Sequence, residues 1–265
     1  MGHNKFMVKF VKSMHLDNFY RKLYFYLFKP INSRVSQNMG NISAEFHVRD
    51  YNELIYLTET VVGAADESHV IKTLLKNIKT NDVVYDVGAF LGLHTVFFAE
   101  RVGECGRVVA FEPSSYGYQA LKDNIKLNNL NNVVTINMAL GDKIGEATLK
   151  GNDSSMYSLS EQFGNSIFNQ KTMIMPGDLL VKEKNLSLPN VVKIDVEGYE
   201  YLVIKGLEKT LRQSRCRLVC CELHPTLLPT GINSEIIIDI LKDYGFNHID
   251  ICDRRKTFHA FCYKI

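Results

Sequence analysis

From residue 80 onward, short β-branched runs alternate with longer stretches in which apolar residues recur every three or four positions. The runs predict strands near 82–87, 107–111, 133–137, 191–195 and 216–222. The longer stretches predict helices near 92–101, 115–128, 200–212 and 234–244. Such alternation is the signature of right-handed βαβ units built around a parallel sheet. Two further runs, 247–252 and 257–263, are joined by a short polar link, so they should close the sheet as an antiparallel pair. The pattern is less regular over 144–189, which is rich in Ser, Asn and Gly and carries Met156, Met173 and Met175. An insertion there lies beyond the carboxyl ends of the strands, where it can cover or shape an acceptor site. A plain surface loop with a small hairpin at Glu146 to Lys150 is the simpler alternative.

The chain begins differently. Leu16, Phe19, Tyr20, Leu23, Tyr24 and Leu27 recur at helical spacing, and Pro30 ends the pattern. Residues 1–34 hold seven Lys or Arg against Asp17 alone, a net +6 that leaves −4 for the rest of a chain whose total is +2. We therefore divide the chain into a basic aromatic arm, 1–50, and a main domain, 51–265. Residues 6–29 could dock on an anionic membrane surface or pack on protein. Asp17, Arg21 and Lys22 interrupt the apolar character, so no spanning helix is expected.

The six cysteines form no CxxC pair and mostly fall in apolar runs, consistent with a reduced, cytoplasmic setting and no zinc site. Peripheral contact with the inner face of the membrane is the further expectation for the arm. Because basic residues gather in the arm rather than around the crevice, no nucleic-acid partner is expected. Oligomeric state is not legible.

Two segments carry the first chemistry. VVYDVGAFLG, Val83 to Gly92, is an apolar strand ending in Asp86 and turned by Gly88, Ala89 and Gly92. RVVAFEP, Arg107 to Pro113, is the next strand, ending in Glu112. A carboxylate at a strand tip can accept both hydroxyl protons of a ribose, and glycines let backbone approach a ligand closely. A dinucleotide fingerprint starting at Gly88 would need glycines where Phe90 and Leu93 stand, so a pyrophosphate bed is missing. A sulfonium amino acid needs none, and its cationic groups suit Asp86. In NMALGD, Ala139 leaves room for an adenine, while Asn137 or Asp142 offers a polar edge.

VVKIDVEGYE, Val191 to Glu200, brings Lys193 and Asp195 to the end of a buried strand, with Glu197 on the turn. A carboxylate inside an apolar strand is costly unless paired or used, which marks Asp195 as functional. Glu200 reads as a helix-entry residue. LVCCELHP delivers Glu222 and His224 to the same edge, so a divalent metal held by Asp195 and Glu222, with or without His224, stands beside an ordinary hydrogen-bonded network.

Taken in this order, DVGAFLG, AFEP, NMALGD, KIDVEGYE with the following VIKG, and ELHP resemble the FkbM family of S-adenosylmethionine-dependent methyltransferases. The resemblance runs from about Val83 to about Pro225, and KIDVEG is its most specific part. It implies an α/β fold of the Rossmann-like class I methyltransferase type: a mostly parallel seven-stranded sheet with a C-terminal antiparallel hairpin and helices on both faces. It implies that Asp86, Gly88, Gly92 and Glu112 hold the cofactor, and that Lys193, Asp195, Glu197 and Glu222 line the acceptor side. The implied reaction is O-methylation of a hydroxyl on a small-molecule, sugar, glycan or glycolipid-like acceptor, with Asp195 as base and Lys193 or a metal stabilising an alkoxide. Phe90 departs from the polar residue, commonly asparagine, that the family often carries there. MIMPGDLL matches its acidic segment only loosely, so no role passes to Asp178. The competing readings are a nicotinamide-dependent oxidoreductase and a non-catalytic S-adenosylmethionine-binding protein.

Overall fold

The computed structural model describes Leu27 and residues 33–265, apart from 63–66, 154–155, 161–165, 167 and 255–256. The helix and the membrane contact expected over 6–29 fall, except for Leu27, outside the described residues. In chain order, a hairpin of β1 (Arg34–Met39) and β2 (Ile42–His47) leads into helices α1 (Tyr51–Val62) and α2 (Glu67–Asn77). There follow β3 (Val83–Val87), α3 (Leu93–Val102), β4 (Arg107–Phe111), α4 (Ser115–Leu127) and β5 (Val133–Ile136). The middle of the chain forms β6 (Ala139–Gly141), β7 (Gly145–Asp153), β8 (Met156–Ser158), β9 (Phe168–Pro176) and α5 (Gly177–Glu183). The last part is β10 (Val191–Ile194), α6 (Glu200–Gly206), α7 (Glu208–Leu211), β11 (Leu218–Leu223), α8 (Ser234–Asp243), β12 (His248–Arg254) and β13 (Thr257–Tyr263).

Seven strands form one sheet in the order β12-β13-β11-β10-β3-β4-β5. All neighbours pair in parallel except β13, which runs antiparallel to both β11 and β12. This is the class I methyltransferase arrangement. Helices cover both faces, so β3, β10 and β11 are buried along their whole length and read as apolar runs, each interrupted by one charged residue, Asp86, Lys193 and Glu222. Side chains alternate between two cores. Val84, Val108, Cys220 and Phe261 belong to the one beneath α2 and α3, and Tyr85, Val109, Val219 and Cys221 to the one beneath α6 and α8. The chain order reverses between β3 and β10, and in such sheets that is where a crevice opens beyond the strand ends.

Residues 34–47 were grouped with the arm on sequence grounds, but they belong to the body. Phe46 is fully buried and packs against Phe97 at 6.2 Å between ring centroids; removing such a side chain typically costs about 3–5 kcal/mol. The free edge of β2 is covered by Asn124 of α4 and by Asn128, the residue that caps its C-terminus. Asn124 accepts from the His47 amide at 2.9 Å and donates to the Leu91 carbonyl at 2.8 Å. Asn128 accepts from the Glu45 amide at 2.9 Å and donates to its carbonyl at 2.7 Å. Side-chain amides thus occupy backbone groups that would otherwise template pairing with another strand.

Much of the described part of 144–189, expected to be irregular, is strand. β6, β9, β7 and β8 form a second, four-stranded sheet, with β7 and β9 antiparallel and β6 parallel to β9. The strands turn one face to solvent, so polar and apolar residues alternate instead of forming the solid runs of the main sheet. Asp178, left without a role above, caps α7: its carboxylate accepts from the amides of Lys209 at 2.7 Å and Thr210 at 2.8 Å. Among the described residues no helix is long and apolar enough to cross a membrane.

Candidate active site

The turn after β3 is shaped by the chain's own backbone. Gly88 has φ +81°, and a Cβ there would lie 1.8 Å from the carbonyl oxygen of Asp195. The glycine read as space for a ligand is therefore first a crossing point for β3 and the end of β10. The amides of Gly88 and Ala89 both donate to the Phe111 carbonyl at 3.0 Å, and that of Gly92 donates to Ala89 at 2.8 Å. Phe90, at φ +46°, sits in a region that asparagine tolerates better, in keeping with the residue the resemblance expects there. Its ring meets Tyr56 edge-on at 5.3 Å.

Glu112 stands at the tip of β4 with its two oxygens fixed by separate amides, Phe90 and Ser114, each at 2.8 Å. Burial raises its pKa, opposed by the hydrogen bonds from Ser114 and Phe90. A carboxylate offers about four acceptor sites, more than these hydrogen bonds use, so one aimed in this way can still accept from a ligand hydroxyl. Asn137 donates to the carbonyls of Glu112 at 2.8 Å and Pro113 at 3.2 Å, which pins the strand tip.

A cavity opens at this point. Gly88, Glu112 and Ala139 are on its wall, together with Asp195 and Glu197. Met138 and Leu140 add apolar wall beside Ala139, and the insertion contributes Leu149, Tyr157 and Leu159. Tyr56, Phe90, Val196 and Tyr199 also face it. Sequence reasoning missed Tyr56 and Tyr157 because nothing local marks them: they arrive from α1 and β8, far along the chain from the strand tips.

Other expected site residues are not on the wall. Asp86 is completely buried, accepts from the Thr95 hydroxyl at 2.5 Å and has the Lys193 ammonium 3.4 Å from its other oxygen. Lys193 is 3% exposed, donates to the Gly88 carbonyl at 3.0 Å and lies 3.4 Å from Asp195. Burial opposes its charge, but Asp195 and then Asp86 outweigh that and hold it protonated. It is a buttress behind the wall, unlike the acceptor-facing residue expected. Ala89 and Gly92 shape the turn from behind, and Asp142 is exposed and points to no part of the cavity.

Glu197 has φ +51°, and the following Gly198, at φ +98°, leaves no room for a Cβ, which would fall 2.5 Å from Leu227. The Ser158 hydroxyl donates to the Glu197 carbonyl, and the Ser160 hydroxyl donates to that of Leu227. Burial pushes the Glu197 carboxyl up to about 7, against the pull of His224. His224 Nε2 is 3.3 Å from Glu197, and Nδ1 is 2.7 Å from the wholly buried Glu200. Desolvation disfavours the imidazolium, but Glu200 and Glu197 prevail and raise His224 to about 10.

Glu222 does not join Asp195. It faces His259 at 3.2 Å, Thr257 at 2.8 Å and Arg254 at 3.5 Å, and Arg254 also pairs with the buried Glu67. Burial is outweighed by His259, His224 and Arg254, which keep Glu222 well below the usual carboxylate range. The proposed metal pair is accordingly divided between two groups, Asp195 with Glu197 and His224, and Glu222 with Glu67 and His259. A metal needs a neutral imidazole and unmatched anionic donors. Here both His224 nitrogens already pair with carboxylates, and Arg254 pairs with Glu67 and Glu222, so the two groups are held together without an ion and no step is derived through one.

Comparison with known proteins adds a family. Residues 86–247 match the Methyltransferase FkbM domain. Hexuronic acid methyltransferase AglP of Haloferax volcanii is 26% identical over 202 residues, covering 76% of this chain and 79% of that protein. Methyltransferase sdnD of Sordaria araneosa is 24% identical over 204 residues, covering 65% of this chain and 76% of that protein. Among solved structures, the methyltransferase FkbM from Methylobacillus flagellatus KT is 15% identical with a TM-score of 0.48, covering 68% of this chain and 43% of that larger one.

Proposed function

The chain belongs to the FkbM family of methyltransferases, and from that premise we propose that it is an S-adenosylmethionine-dependent O-methyltransferase acting on a hydroxyl of a sugar, glycan or glycolipid-like acceptor. The observation that carries this reading is one cavity lined both by Glu112, after β4, and by Asp195 and Glu197, after β10, with the β3 turn between them. Glu112 suits the ribose of the methyl donor, and Met138, Ala139 and Leu140 suit its adenine. Gly88 forms the floor between the two ends. Asp86 acts from beneath, through Lys193 and Thr95, and not by direct contact.

When bound, S-adenosylmethionine supplies an electrophilic methyl group on a sulfonium. Asp195 takes the proton of the acceptor hydroxyl as the oxygen–carbon bond forms and the carbon–sulfur bond breaks, leaving S-adenosylhomocysteine. Its ion pair with Lys193 fixes the direction of the carboxylate, and Glu197 beside it offers a second carboxyl whose own proton affinity is raised by burial. Alignment of the acceptor can supply on the order of 7–11 kcal/mol, and a base about 10²- to 10⁴-fold in rate. Leu149, Tyr157 and Leu159 on the wall support an acceptor-shaping role for the insertion. The Haloferax volcanii relative, named for a hexuronic acid, supports a sugar acceptor.

Calorimetry tests the cofactor assignment. The protein should bind S-adenosylhomocysteine and not NAD, and Glu112→Gln should weaken that binding roughly tenfold or more, because two hydrogen bonds to a charged group are disturbed. Tight binding of NAD instead would establish the oxidoreductase reading. Methyl transfer from labelled S-adenosylmethionine to monosaccharides, oligosaccharides and glycolipids, with peptides as controls, then tests the acceptor class.

A further inference from the structure

The turn that ends β3 has little left to offer an anion. Oriented backbone amides at such turns commonly receive the acidic group of a ligand. Here the amides of Gly88 and Ala89 are spent on the Phe111 carbonyl, that of Phe90 on Glu112 and that of Gly92 on Ala89. Lys193, which reaches this turn, is buried, donates to the Gly88 carbonyl and is flanked by Asp86 and Asp195. Between Glu112 and Asp195 the wall is thus carboxylate-rich, whereas the methyl donor carries a carboxylate of its own on its amino-acid portion. That group needs a donor which is neutral, protonated and on the wall.

Tyr56 meets these conditions. It lines the cavity from α1, and its ring is held edge-on by Phe90 at 5.3 Å and 87°. Among the described residues no hydrogen bond to its hydroxyl is present, although the hydroxyl lies in the field of Glu67, Lys193, Asp195 and Asp86. Burial first, and then Glu67, Asp195 and Asp86 against the opposing Lys193, push the phenol above its ordinary range and keep it a donor. A held ring with an uncommitted hydroxyl loses little conformational freedom when a ligand arrives.

We infer that Tyr56, on a helix that precedes the matched segment 86–247, binds the amino-acid carboxylate of the methyl donor through its hydroxyl. The inference rests on the methyl-donor reading above and extends the cofactor site beyond the part of the chain that defines the family.

The test is calorimetry on the full chain with S-adenosylhomocysteine and with decarboxylated S-adenosylhomocysteine, which keeps the amine and lacks only the carboxylate. Wild type should bind the decarboxylated ligand more weakly. Tyr56→Phe, which preserves the ring and its contact with Phe90, should lose roughly tenfold or more in affinity for S-adenosylhomocysteine and stay within about twofold of wild type for the decarboxylated ligand. Equal losses on both ligands, no loss on S-adenosylhomocysteine, or wild type indifferent to the carboxylate would each overturn the assignment to Tyr56 while leaving the cofactor reading intact. Wild type that binds neither nucleoside would instead remove the methyl-donor reading, and this inference with it.

Discussion

The two ends of the cavity are held by different kinds of bond. At the cofactor end the anchors are backbone groups: Glu112 on two amides, the β3 turn on the Phe111 carbonyl, Asn137 on the strand tip. At the acceptor end they are charged side chains, with Lys193 beside Asp195, and Glu197, His224 and Glu200 in a row. The first kind depends on main-chain path and tolerates almost no change of shape. The second depends on charge and responds to pH and salt. On the proposed function, the rigid end would meet a nucleoside common to many enzymes, and the adjustable end the acceptor that differs between them.

The largest expected effect attacks the rigid end. Gly88→Ala sets a methyl group 1.8 Å from the Asp195 carbonyl in a backbone conformation alanine rarely adopts. It should cost about 4 kcal/mol or more, the range reached only by severe core defects, read as a fall in thermal midpoint of roughly 8 °C or more. A midpoint within a degree or two of wild type would mean that the two strand ends are free to separate.

At the other end, Asp195→Asn keeps the shape and removes the base proposed for the reaction. Turnover should fall by about tenfold or more, with S-adenosylhomocysteine affinity within about threefold of wild type. Undiminished turnover would shift the base to Glu197; a parallel loss of nucleoside affinity would erase the distinction between the ends.

The smallest effect concerns pH. His224 titrates near 10 in the folded protein, above its ordinary value near 6.5, so the native state binds the extra proton more tightly than the unfolded chain. That stability is fully present below about pH 6.5 and is lost as pH rises through about 10. Wild type should lose more thermal stability between pH 7 and pH 10 than His224→Gln does. Identical slopes would show that the imidazole is neutral and that the charged row is not what holds this end.

Legibility in the sequence followed burial. β3, β4, β10 and β11 are enclosed on both faces, so their apolar runs announced both strands and strand tips. The β1–β2 hairpin and the insertion sheet present one face to water, and their alternation was diluted by residues such as Asn38, Ser43, Thr148 and Lys171. Residue type located the carboxylates of the site, but which of them face the cavity depends on pairing. Asp86 and Lys193 satisfy each other behind the wall, and Glu222 is claimed by Arg254 and His259 from the C-terminal hairpin. No local pattern could report that Tyr56 would meet Phe90.

Two hydroxyls at the end of β8 deserve a last consequence. Ser158 and Ser160 stitch the insertion to the loop after β10 and to the loop after β11, respectively. Exchange of acceptor preference by transplanting this segment between homologous enzymes is therefore constrained at two stitches. A graft that keeps both serines carries its own fastening, and one that drops them leaves new specificity sitting on an untethered catalytic rim.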